Sequence, residues 1–207
     1  MRARARHAAR RRRRSTGVGV CVHACACVRA RGRWRRQNGA DAGNVIELYN
    51  KTSTSLLGTV PSLEFKELAW TAEDYVQLGA ALGYCFALTE LTLDQMGVGD
   101  AGLAAVLGGL ASPATLRSLK LWRCEELTAL PDLSALRGLT TLNLSLCTEL
   151  KRLPDLSALG ELTTLDLTWC KKLERLPDVS ALTSLKTFYA PDHLMDQLPR
   201  RFGGSAP

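Results

Sequence analysis

"LTTLNLSLCTELKRLPDLSAL", residues 139–159, lies between two near-copies of itself. "LRSLKLWRCEELTALPDLSAL" fills 116–136 and "LTTLDLTWCKKLERLPDVSAL" fills 162–182, so the three superpose at a period of 23 residues. Leu119, Leu142 and Leu165 align, as do Cys124, Cys147 and Cys170, and Pro131, Pro154 and Pro177. Upstream the period lengthens to 28, with Leu63, Leu91 and Leu119 in one column and Phe65, Leu93 and Leu121 in another. A last partial copy runs from Leu185 to Pro199. A fixed period in this range marks stacked supersecondary units, each of which buries its apolar side only against its neighbours.

The local pattern says what each unit contains. "LKL", "LNL" and "LDL" alternate as short strands with one buried face. Each is too short to stand alone, so stacking must set them side by side in a parallel sheet. Asp100 to Leu110 has helical apolar spacing at Leu103, Val106, Leu107 and Leu110, and Ala72 to Leu82 repeats it with Val76, Leu78 and Leu82. In the 23-residue copies only Asp-Leu-Ser-Ala-Leu remains for the outer side, which is room for one turn of 3₁₀ helix. Each fully buried Leu should contribute roughly 1.5–3 kcal/mol.

These repeats resemble the leucine-rich repeat family, L-x-x-L-x-L-x-x-N/C-x-L, over residues 63–199. The 28-residue copies up to 118 ("LTELTLDQMGVGDAGLAAVLGGL") look like the ribonuclease-inhibitor type, with a full outer helix. The cysteine-containing copies from 119 onward look like those of plant resistance proteins and related intracellular receptors. The resemblance implies a right-handed α/β solenoid of five to six repeats. Its curved parallel sheet lines the concave face, with helices and then 3₁₀ turns on the convex face. It also implies a non-enzymatic role, as an adaptor or the sensing part of a signalling or defence protein, with no cofactor and with another protein as partner. The missing cap after Leu198-Pro199 is what a fragment of a longer array would show.

Charge divides the chain. Residues 1–40 hold 13 of the 27 Lys and Arg and no acid, while 41–207 carry 14 basic and 20 acidic groups, a net of −6. Residues 1–40 read as a basic, disordered leader, 41–62 as a lead-in and 200–207 as a tail. Within the leader, "VCVHACACVRAR" (20–31) alternates small apolar residues with Cys, His or Arg. A strand would place Cys21, His23, Cys25 and Cys27 on one side, but zinc ligands usually come as turn-separated pairs, and no second pair follows. The same alternation is what translated alternating purine–pyrimidine DNA gives, which makes this an uninformative leader. An Arg-rich, acid-free leader also resembles an organelle transit peptide, or could serve as a basic arm for nucleic acid or an anionic membrane. No run of about 18 apolar residues exists to span a membrane. Seven cysteines, odd in number, suit a reduced, intracellular (cytoplasmic) protein better than a disulfide framework.

Two motifs invite sharper readings. Met96, Cys124, Cys147, Cys170 and His193 share one column. Side chains on successive rungs about 4.8 Å apart do not converge on one tetrahedral centre, so small buried thiols are expected here rather than a metal site. Gly97-Val98-Gly99-Asp100-Ala101-Gly102 satisfies G-x-G-x-x-G, followed by Glu125 and Glu126. The repeat accounts for it better, because the preceding copy puts Ala69, Thr71 and Asp74 in the glycine columns. No H-E-x-x-H, Walker or G-x-S-x-G motif occurs. The sequon at Asn143 falls on a packed strand, which disfavours modification.

The expected interaction face is the concave one, where the non-Leu strand positions point. One column is Glu64, Thr92, Lys120, Asn143, Asp166 and Tyr189. The next is Lys66, Asp94, Trp122, Ser145, Thr168 and Pro191, and the last is Glu67, Gln95, Arg123, Leu146, Trp169 and Asp192. Aromatic and Arg anchors among small polar neighbours are the usual make-up of interface hot spots. The partner-binding residues are therefore expected to be Lys120, Trp122, Arg123, Asn143, Leu146, Asp166, Trp169 and Tyr189.

Overall fold

The structure, a computed structural model, describes residues 57–197. The expectations for the leader, for most of the lead-in and for the tail lie outside these residues.

Six strands form one parallel sheet in sequence order: β1 (Ser62–Lys66), β2 (Glu90–Asp94), β3 (Ser118–Lys120), β4 (Thr141–Asn143), β5 (Thr164–Asp166) and β6 (Thr187–Tyr189). The register follows the sequence period. Leu63 pairs with Leu91, Leu91 with Leu119, Leu119 with Leu142, Leu142 with Leu165 and Leu165 with Phe188. The chain folds as a leucine-rich-repeat solenoid, and the column of leucines is its continuous core: Leu91, Leu119, Leu142 and Leu165 are all fully buried.

The two 28-residue units carry α1 (Ala72–Leu82) and α2 (Asp100–Gly108) on the side opposite the open sheet face. In α1 the inward stripe is Tyr75, Leu78 and Leu82, and Val76 is a correction: it is 53% exposed on the outer side. The helical repeat admits Tyr75 to that stripe in its place, because its ring packs edge-on to Trp70, which in turn meets Phe65. The helices approach closely. A Cβ added to Gly109 would lie 2.0 Å from the Gly79 carbonyl oxygen, and one added to Gly79 would lie 2.2 Å from that of Ala105.

The 23-residue units replace the helix with single turns. Leu136 N–H donates to the Leu133 carbonyl at 2.9 Å, and Leu159 N–H to that of Leu156 at 2.9 Å, the i+3 bond of one 3₁₀ turn. Each turn starts from an aspartate whose carboxylate accepts the amide two residues on, as Asp132 does from Ser134, Asp155 from Ser157 and Asp178 from Ser180, each at 2.9 Å. Donation from the serine hydroxyls and amides, the hydroxyl first at Asp132 and the amide first at Asp155 and Asp178, lowers the three aspartate pKa values. Short side chains that mimic a backbone acceptor start a turn in this way.

Candidate functional site

The open face is built by what happens where each strand ends. Glu67, Gln95, Arg123, Leu146 and Trp169 all have positive φ, from 50° to 63°, although none is glycine. A left-handed residue with a Cβ costs about 1–3 kcal/mol and persists only when its surroundings over-determine it. For four of the five the next rung does so: Glu67 N–H donates to Asp94 C=O at 2.9 Å, Gln95 to Trp122 at 2.9 Å, Arg123 to Ser145 at 3.0 Å and Leu146 to Thr168 at 2.9 Å. The inter-repeat ladder thus runs past the strands through a column of left-handed residues.

Of the expected partner-binding residues, Arg123, Leu146 and Trp169 occupy that column on three successive rungs. Trp169 is 52% exposed, with the Lys171 ammonium 5.6 Å from its ring centre. Leu146 is half-buried, and Arg123 is exposed with its Nε 3.2 Å from Glu125. Tyr189, at the end of β6 on the rung after Asp166, is 38% exposed. Trp122 and Lys120 are half-buried on the β3 rung. Trp122 is two rungs from Trp169, on the order of 10 Å along the sheet.

Asn143 and Asp166 have structural work of their own. The Asn143 side-chain oxygen accepts the Ser145 amide at 2.9 Å and hydroxyl at 2.6 Å, and its Nδ2 donates to Asp166 at 3.2 Å. Asp166 repeats the arrangement with Thr168, at 2.9 and 2.6 Å. Both residues shape the chain into the left-handed position, and both remain half-buried on the open face.

The cysteine column is internal. Cys124, Cys147 and Cys170 are free and fully buried, and each thiol donates to a carbonyl of the preceding repeat: Leu93 at 3.5 Å, Leu121 at 2.9 Å and Leu144 at 3.2 Å. Burial raises Cys170 to about 12 and Cys85 to about 11. The neighbouring Cys147 thiol and burial together push Cys124 up as well. His193 turns its Nε2 to the Leu173 carbonyl at 2.8 Å. Among the described residues no three His, Cys, Asp or Glu side chains are placed to hold a metal ion.

The glycine-rich motif is also accounted for by packing. Asp100 accepts the Thr128 and Ala129 amides of the next repeat at 2.8 and 3.0 Å, and a Cβ on Gly102 would press on the Tyr75 ring at 3.1 Å. The loop that would cradle a phosphate is occupied by its neighbours. Sequence reasoning missed the left-handed column because Glu, Gln, Arg, Leu and Trp carry no local signal for positive φ; the cause is the next rung.

No protein-family model matches the sequence, and no curated protein matches it. Among solved structures, the leucine-rich repeat domain of the type III effector XopL is similar at 18% identity, over 84% of this chain and 91% of that one, with a TM-score of 0.27.

Proposed function

We propose that this chain is a non-enzymatic protein-recognition module that binds another protein through the open face of its sheet. Trp169 carries the reading. Its indole is half-exposed at a left-handed backbone position, φ 61°, beside Leu146, with Tyr189 one rung on. A large, rigid aromatic held at low conformational cost is the usual anchor of an interface. An adaptor or a sensing part of a signalling or defence protein fits this reading. So does the likeness of the two repeat kinds to ribonuclease-inhibitor and plant-resistance repeats. No helix among the described residues is long and apolar enough to cross a membrane; the compartment we propose is the cytoplasm, or an organelle if residues 1–40 direct import.

The test is a pull-down from cell lysate with the full chain and with Trp169→Gly and Trp122→Ala variants. Glycine suits φ 61°, so Trp169→Gly removes the side chain without straining the backbone. Loss of a specific partner with an unchanged melting temperature supports the face. A partner held equally by both variants sinks it. A partner released by salt and lost on deleting residues 1–40 favours instead a nucleic-acid or anionic-membrane binder working through the 13 basic residues of that segment.

A further inference from the structure

The described chain is electrically lopsided along its length. Residues 57–110 carry seven acidic side chains (Glu64, Glu67, Glu73, Asp74, Glu90, Asp94 and Asp100) against Lys66 alone. Residues 111–197 are nearly balanced, with 11 acidic and 10 basic. Strand alternation puts Glu64, Glu90 and Asp94 on the open face of β1 and β2, opposite the buried Leu63, Phe65, Leu91 and Leu93, and Glu67 follows at the end of β1. Lys66 is already shared, 3.0 Å from Glu64 and 3.4 Å from Asp94. Asp94 is only 9% exposed, and its second oxygen, Oδ1, has no hydrogen-bond partner. Four carboxylates, three of them exposed and one nearly buried with an oxygen unmatched, thus share a single lysine, so this part of the face is short of cationic donors.

We infer that this acidic half of the face receives the chain's own arginine-rich segment, Arg2–Arg14. That segment holds eight arginines and no acid. Guanidinium groups pair with carboxylates through two parallel hydrogen bonds, and a field of one sign steers them there. The tether allows it: 47 residues separate Arg14 from Ser62, and a chain can span up to about 3.3 Å per residue, far more than the roughly 25 Å across six strands. Tethering also sets an effective concentration on the order of millimolar, so a contact too weak to form between separate molecules is populated within one. This inference stands apart from the Trp169 patch, which lies on later rungs.

The experiment uses the full chain spin-labelled at Cys21, Cys25 and Cys27. The body's Cys85, Cys124, Cys147 and Cys170 are 0–3% exposed and escape labelling. Amide signals of β1 with Glu67, and of β2, should broaden selectively, and the broadening should vanish in about 0.5 M salt, where the screening length falls below about 5 Å. It should also vanish in Glu64→Lys/Glu67→Lys/Glu90→Lys, whose three side chains are exposed, and when Arg10 to Arg14 are all changed to glutamine. Broadening that is absent, spread evenly over the sheet, centred on Glu73 and Asp74 of α1, or unchanged by the triple variant overturns the inference. Broadening that fades on dilution assigns the contact to a second copy and overturns it equally.

Discussion

Asp100 does for Thr128 what a backbone carbonyl does on the rungs that follow. Its carboxylate accepts the Thr128 amide at 2.8 Å and hydroxyl at 2.5 Å. One repeat later the Lys151 amide donates to the Thr128 carbonyl at 2.9 Å, and after that the Glu174 amide donates to the Lys151 carbonyl at 3.1 Å. A side chain thus starts a second inter-repeat ladder at the junction between the 28- and 23-residue units. Removing an acceptor of three hydrogen bonds costs about 1.5–3 kcal/mol when the acceptor is charged, so Asp100→Ala should lose about that much in urea melts at pH 7.

The acid dependence follows from the same bonds. Burial acts to raise the Asp100 pKa, but the donors on Thr128 and Ala129 outweigh it, and the net shift is downward. A carboxylate depressed in the folded state stabilises it fully above the unfolded value of about 3.9; that contribution fades as pH falls through the lower folded value. The gap between wild type and Asp100→Ala should therefore narrow below about pH 4. A gap of the same size in acid would show that the carboxylate's charge is immaterial.

Gly109 and Gly108 are adjacent but should respond oppositely to alanine. A Cβ at Gly109 meets the Gly79 carbonyl at 2.0 Å, whereas one at Gly108 meets nothing within 4 Å. Gly109→Ala should destabilise by about 1–3 kcal/mol, as backbone overpacking does. Gly108→Ala, at the end of α2, should stabilise by about 0.5–1 kcal/mol through the unfolded state. Thermal melts of the two variants check both signs.

The left-handed column predicts that glycine is tolerated where a β-branched residue is not. Gln95 sits at φ 52°. Gln95→Gly should leave stability unchanged or raise it by up to about 1 kcal/mol. Gln95→Val should lower it by about 1–3 kcal/mol, because a β-branched side chain is the worst occupant of that region. Equal melting temperatures for the two would mean that the turn relaxes.

The buried thiols should stay silent until the chain unfolds. Burial raises Cys85 to about 11 and Cys170 to about 12. Groups raised in the folded state contribute stability that is complete below the unfolded thiol value of about 8.5 and is lost as pH rises through the folded one. Alkaline denaturation should therefore begin above about pH 9, with thiolate absorbance from these residues appearing together with loss of the fold. Cys147→Ser, which keeps a donor to the Leu121 carbonyl, should be less destabilising than Cys147→Ala.

The period of the leucines was enough to read the sheet, its strand order and its register, because one leucine per rung must face one core. The inward face of α1 was legible in its spacing: Tyr75, Leu78 and Leu82 stand at i, i+3 and i+7, whereas Val76, two residues before Leu78, falls on the outer side despite its apolar side chain. The open-face columns were legible as positions but not as roles. Asn143 and Asp166 look like free polar groups in sequence, yet they bond the Ser145 and Thr168 amides that bring the chain into the left-handed turn. Asp94 gave no sign of burial, since its exposure depends on its neighbouring rungs rather than on its own strand.

The ladder that begins at Asp100 makes copy number a separable property of this chain. Beyond the Asp100 start, the links from Thr128 to Lys151 and from Lys151 to Glu174 use only main-chain atoms, so the middle unit's place in the ladder could be taken by any residue with an amide and a carbonyl. Excising one whole 23-residue unit, or inserting another, leaves every remaining rung facing an equivalent neighbour, provided the Asp100 start is kept. The length of the open face can therefore change in unit steps, by duplication or loss inside the array, without redesign of either boundary.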